Sequence, residues 1–309
     1  MIRRALALAS VLTVAAACSR FPDGPGDLLA APDVDRDGTS GTDGALGAAW
    51  VTVNGQARVT ERIPVQVVFP ARADGTLDPA RAPYPTVVFL QGAPVARDRY
   101  HWLALHLATR GYVVLLPEHL LDLAILDTDN AHLGLGIVRE AAAAEGTLRG
   151  AINPAAPAVV MGHSLGGVIA ARQWIAHPEF SGVALLAAYP ATGDPVAARA
   201  AGPLFAMTGT ADTLAPPTRV RAGYEMFSRA PDALQAFAVV DSLNHYGWTD
   251  AAEDDERASD GPRPSDLWVV RRRALAVLDA WLDATMRSDT SARARLATGS
   301  FGEGVTVTR

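Results

Sequence analysis

The sequence predicts an α/β chain: a mainly parallel sheet with helices on both faces. Two observations lead there. Short apolar runs alternate with amphipathic stretches from about Ile63 to Trp281, and the runs are continuous rather than alternating ("TVVFL", "YVVLLP", "AVVM"). Strands buried on both faces by crossover helices read this way. The chain has 309 residues, of which 49% are hydrophobic and 19% charged, so a large core is possible and global disorder is excluded.

The chain opens Met1-Ile2-Arg3-Arg4, then runs apolar from Ala5 to Ala17. That run is too short to span a membrane and ends in small residues, so residues 1–17 are expected to be a secretory signal peptide. "VAAAC" resembles a bacterial lipobox, with Ala15 where leucine is preferred. The resemblance implies a lipid anchor on Cys18 and a place in the cell envelope; the plain alternative is a periplasmic or secreted protein. Residues 18–49 read as a Gly/Asp/Pro-rich tether. Within it Asp33-x-Asp35-x-Asp37-Gly38 begins like a calcium loop, but position twelve holds Gly44, so no ion is expected there.

The catalytic-size domain is expected over residues 50–287. "RIPVQVVFP" alternates as a strand and "YPTVVFLQG" is a buried one. A helix through Trp102, Leu103 and Leu107 is stopped by Gly111. "YVVLLP" is followed by a helix around residues 134–148. Then come "AVVM" with its helix, "GVALLAAYP", "GPLFAMTG", another helix and "LQAFAVV". A last helix carries Leu267, Val270, Ala274, Val277 and Trp281 on one face, which leaves Arg271-Arg272-Arg273 as a solvated side. Residues 288–309 are expected to be a loose tail. No repeat and no second domain is visible.

Several chemistries are excluded by composition. A net charge of −6 offers no basic face for nucleic acid. Every cation is arginine, so neither a Schiff-base lysine nor a P-loop lysine exists. One cysteine permits no internal disulfide and no thiolate metal cluster.

The informative stretch is "AVVMGHSLGGVIAAR", residues 158–172. A strand that turns at once into a helix crowds its own backbone. Gly162 and Gly166 relieve the crowding and leave Ser164 on an exposed, strained tip, the geometry of a nucleophile elbow. Gly167 and Ala170 let the helix lie close to the sheet. A serine hydroxyl needs a base in reach, and only His177 and His245 follow Ser164. His177 lies at the far end of the elbow helix, which leaves His245 in "DSLNHYGW". The orienting acid is expected between them: Asp212 in "GTADTLAPP", with Asp194 in "YPATGDP" as the rival. The oxyanion donors expected are the backbone N–H groups of Leu165 and of Ala93, which follows Gly92; Pro94 has no N–H. His163 is expected to point away from the site, and His101 and Trp102 to pack a helix. His119 and His132, with Asp122, Asp127 and Asp129, match no compact ligand spacing, so no metal is expected. The apolar tract Leu120–Leu126 lines an acyl pocket or packs under the sheet edge.

"YPTVVFLQG", "LATRGYVVLLP", "VVMGHSLGG", "GTADTLAPP" and "NHYGW" together resemble the α/β-hydrolase superfamily, in the branch of chlorophyllases, dienelactone hydrolases and cutinase-like polyester hydrolases. The resemblance implies the α/β-hydrolase fold, a triad of Ser164, Asp212 and His245, and oxyanion donors Ala93 and Leu165. It implies hydrolysis of small-molecule or polymeric carboxylic esters through an acyl-enzyme, without a cofactor. The sequence departs from that branch at Gln91, where many relatives have histidine, and at Ala93, where polyester hydrolases often have an aromatic residue. It also lacks their tryptophan after "AAYP" and their C-terminal disulfide. Acyl transfer or peptide hydrolysis by the same triad, and a binding protein without turnover, are the competing expectations.

Overall fold

A computed structural model describes residues 46–58, 61–122, 126, 128–190, 193–194, 202–227, 233–250 and 254–308. The expected signal peptide, Cys18 and most of the tether lie outside the described residues. No helix among the described residues is long and apolar enough to cross a membrane.

Among the described residues nine strands form one sheet in the order β1-β2-β4-β3-β5-β6-β7-β8-β9. They are β1 (Gly47–Arg58), β2 (Glu61–Ala71), β3 (Thr86–Leu90), β4 (Val113–Pro117), β5 (Ala158–His163), β6 (Phe180–Leu186), β7 (Leu204–Gly209), β8 (Gln235–Val240) and β9 (Val305–Thr308). The six from β4 to β8 run parallel, while β1, β2 and β9 join antiparallel at the edges. Each residue of β3, β4, β5 and β7 is buried, as continuous apolar strands require. The helices are α1 (His101–Thr109), α2 (Asn130–Ala143), α3 (Leu165–Ala176), α4 (Pro217–Glu225), α5 (Asp254–Ser259), α6 (Leu267–Met286) and α7 (Thr290–Thr298).

Three sequence expectations change. Structure already starts ahead of residue 50, because β1 from Gly47 pairs with the first expected strand over nearly its whole length. The tail is not loose. Asp289 caps α7 by accepting the N–H groups of Ser291 and Ala292, Gly299 ends it with φ +67°, and β9 pairs with β8. The third concerns Arg271, which is not on a solvated side. It is buried, stands 4.1 Å from the Trp102 ring, and donates to the carbonyls of Gly247 (2.9 Å) and Thr249 (2.5 Å). Burial pushes its pKa down to about 10. The rest of α6 packs as expected, with Val270, Ala274, Val277 and Trp281 buried and Trp281 stacked on Phe205.

Beneath this face α1 and α6 are joined by charge. Asp279 is buried, with both carboxylate oxygens 3.0 Å from His106 Nε2 and Oδ2 3.2 Å from Arg110 Nε. The cations and the hydrogen bond from His106 hold its carboxyl below the usual range although burial alone would raise it.

Candidate active site

The strand order reverses between β3 and β5: the chain crosses from β3 to β4 on one side, then from β5 to β8 on the other. Open α/β sheets bind ligands outside the carboxyl ends of the strands at such a point. Gly92, Ser164, Asp212 and His245 all follow carboxyl ends, of β3, β5, β7 and β8 respectively.

Ser164 has φ 52° and ψ −125°, a conformation strained for any residue with a side chain. Two neighbours make room for it. A methyl group on Gly162 would overlap the backbone of Gly166, and one on Gly166 would overlap the carbonyls of Leu90 and Gln91. Ser164 N–H donates to Leu186 O at 2.9 Å, which ties the tip to β6, and Ser164 O accepts from Gly167 N–H at 3.0 Å. Ser164 itself is only partly covered.

His245 and Asp212 are both buried and in contact, with Nδ1 3.0 Å from Oδ2 and 3.2 Å from Oδ1. Oδ1 also accepts the backbone N–H groups of Leu214 (3.0 Å) and Ala215 (2.6 Å), so the loop after β7 locks the carboxylate in place. Asp194, the rival acid, pairs instead with Arg172 on α3 at 2.9 Å. The loop carrying His245 is braced by Arg271 and by Trp102, whose Nε1–H donates to Trp248 O at 3.0 Å. No hydrogen bond from Ser164 Oγ to His245 Nε2 is among the described contacts, a bond that in substrate-free hydrolases is often long and tightens as substrate arrives.

His163 was expected to point away; it does not. It is fully buried, its ring 4.6 Å from that of His245. Its Nδ1 lies 2.8 Å from Tyr100 Oη and its Nε2 3.1 Å from the His245 carbonyl. Tyr100 Oη accepts the Gly92 N–H at 2.9 Å, so its own proton goes to His163 Nδ1. His163 is therefore neutral with the proton on Nε2, donated to His245 O. Burial, with the neighbouring His245 imidazole disfavouring a second positive charge, drives its pKa well below the usual imidazole range. One chain of hydrogen bonds thus joins the loop after β3 to the loop after β8 through the residue before Ser164. Nothing in the sequence marked Tyr100, which lies in a short 3-10 turn eight residues past Gly92.

The loop after β3 lies over the elbow. A Cβ built on Gly92 would stand 3.2 Å from Ser164 Cβ, and Ala93 comes next. The N–H groups of Ala93 and Leu165 have no protein acceptor among the described residues. Leu120, Leu121 and Leu126 are 63%, 62% and 52% exposed, so packing under the sheet edge does not describe them. The sequence profile of the alpha/beta hydrolase family matches residues 86–258, from the start of β3 into α5 and over more than half of the chain.

The chain belongs to the alpha/beta hydrolase family.

The matched region contains the point where the strand order reverses, the elbow, and the loops after β3 and β8. No curated protein matches the chain. Hydrolysis is the activity that family membership suggests.

Proposed function

We propose that this alpha/beta hydrolase cleaves carboxylic esters through an acyl-enzyme, with Ser164 as nucleophile, His245 as base and acid, and Asp212 as the group that orients His245. The observation that carries the reading is the buried His245–Asp212 pair, whose His245 packs against His163, the residue before a serine on a strained strand–helix tip. Asp212 keeps the proton of His245 on Nδ1, so Nε2 presents its lone pair to Ser164. Ser164 Oγ attacks the ester carbonyl while Nε2 takes its proton. The carbonyl oxygen gains the negative charge and receives hydrogen bonds from the Ala93 and Leu165 N–H groups. The imidazolium then protonates the leaving alcohol as its bond breaks. Water, deprotonated by the same Nε2, attacks the acyl-enzyme, and collapse releases the acid and restores Ser164.

The branch we favour is that of chlorophyllases, dienelactone hydrolases and cutinase-like enzymes. The exposed leucines after β4 favour an ester with an apolar acyl part. For the N-terminal region we propose export, with lipidation of Cys18 tethering the enzyme to a bacterial envelope. Hydrolysis of p-nitrophenyl esters from acetate to long acyl chains tests the reaction. Turnover with a chain-length optimum, lost in Ser164→Ala, is the expected result; equal rates in both proteins would remove Ser164 from the mechanism.

A further inference from the structure

The fold brings together three side chains that no spacing in the sequence relates. His132 stands in the first turn of α2, His177 caps the end of α3, and Glu179 directly precedes β6. One ligand atom from each lies within 4.8 Å of the other two. Glu179 Oε1 is hydrogen-bonded to His132 Nδ1 and lies 4.0 Å from His177 Nδ1, so both imidazoles turn the same nitrogen toward one carboxylate. The two rings are face to face, 4.1 Å apart and 9° from parallel.

We propose that His132, His177 and Glu179 form a binding site for one zinc-class divalent ion, separate from the esterase site. Two imidazoles and one carboxylate suit a borderline ion such as Zn²⁺, whereas Ca²⁺ and Mg²⁺ require mostly oxygen ligands. Zinc–ligand bonds of ~2.0–2.2 Å place tetrahedral ligand atoms ~3.3 Å apart, so the three must close by at most ~1.5 Å. Parallel rings send their lone pairs side by side. Rotation of the His132 ring about Cβ–Cγ turns its nitrogen inward, and its side chain is 43% exposed, which leaves room for the turn. His177 and Glu179 are 22% and 17% exposed, so an ion can reach them.

The backbone under the site is already fixed. His177 N–H donates to Gln173 O, Phe180 N–H to His177 O, and Ala158 N–H to Glu179 O. The Gln173 side chain accepts the His132 N–H at 3.3 Å, which holds the start of α2 against α3. Two ligands thus sit on a rigid turn and the third on an adjacent helix, so little ordering remains for the ion to impose. With neutral imidazoles the ligand set carries one negative charge, which a divalent ion overcompensates. The site lies at the far end of α3 from Ser164, twelve residues or ~18 Å along the helix. Its role is to pin α2 to the α3–β6 turn, not to activate water for the ester.

Chelator-treated protein, re-equilibrated with ZnCl₂ and passed through gel filtration, provides the test by metal analysis and thermal melting. The expected result is one zinc per chain, a melting temperature that rises with zinc but not with CaCl₂, and zinc affinity at least ~10-fold weaker in His132→Ala and in Glu179→Gln. Circular dichroism on both variants establishes that they fold. Zinc well below one per chain, an equal rise with calcium, or undiminished affinity in the folded variants would overturn the site. Ester hydrolysis, followed in the same samples, is expected to be the same with and without zinc, so either proposal can fail alone.

Discussion

Asp212→Asn separates the proposed orienting role of the carboxylate from its role in the loop. Oδ1 accepts two backbone N–H groups, from Leu214 and Ala215, while Oδ2 is the oxygen nearer His245 Nδ1. Asparagine keeps one acceptor and gains a pair of donors. The two N–H groups hold its oxygen at the Oδ1 position, so its NH₂ takes the place of Oδ2 and faces Nδ1. Two donors cannot face each other, so the imidazole proton moves to Nε2. That nitrogen can then no longer take the proton of Ser164. A wrong tautomer of this kind costs ~10⁴ in kcat in a serine triad, or ~5 kcal/mol of transition-state stabilisation at ~1.36 kcal/mol per tenfold. The loop bonds survive, so the protein should melt within a few degrees of wild type. Kinetics on p-nitrophenyl butyrate should show kcat lower by ~10³–10⁴ with KM little changed. Asp194→Asn, which loses the charge paired with Arg172, should remain within about twofold of the wild-type rate, since a partly exposed ion pair contributes little. A folded Asp212→Asn enzyme within tenfold of wild type would refute the tautomer argument.

Three other consequences can be measured. Tyr100→Phe leaves the Gly92 N–H and His163 Nδ1 buried without partners, at ~1–3 kcal/mol each, so urea denaturation should show a loss of ~2–6 kcal/mol; a loss under ~1 kcal/mol would contradict the hydrogen-bond chain. Gly166→Ala drives a methyl into the Leu90 and Gln91 carbonyls, with an overpacking cost of ~1–3 kcal/mol and a displaced loop after β3, the one proposed to carry an oxyanion donor, so both melting temperature and kcat should fall; full activity would contradict the close approach. The folded-state pKa of Asp279 lies below its ordinary 3.8, so its stabilisation is fully present above pH 3.8 and is lost as pH falls through the lower folded value. Asp279→Asn should therefore flatten the acid limb of stability against pH and cost ~3–5 kcal/mol at neutral pH, where His106 and Arg110 lose their buried partner; an unchanged acid limb would remove Asp279 from the account.

The central strands were legible because their burial on both faces leaves continuous apolar runs. The elbow was legible because steric crowding demands small residues at fixed offsets. The elimination that left His245 and the place of Asp212 just past a strand picked out two side chains that the structure brings into contact. Other features left little trace. The short β9 alternates in exposure, and its partner β8 is distant in sequence. The capped helix before it did carry a readable signal, Asp289 at one end and Gly299 at the other. Arg271 sits in a triplet of arginines, and only the Trp102 ring and two loop carbonyls single it out. Tyr100 and His163 act through contacts made across the fold, as do His132, His177 and Glu179. Such clusters have no period or spacing, so only the three-dimensional structure brings them together.

The central claim is that Ser164 is a nucleophile activated by His245. A fluorophosphonate reagent tests it most directly, since phosphonylation needs the activated hydroxyl but no knowledge of the natural ester. Intact mass and peptide mapping should find one adduct per chain, on Ser164, absent in Ser164→Ala and formed far more slowly in His245→Ala. Folded protein that takes no label, or takes it equally without His245, would contradict the claim.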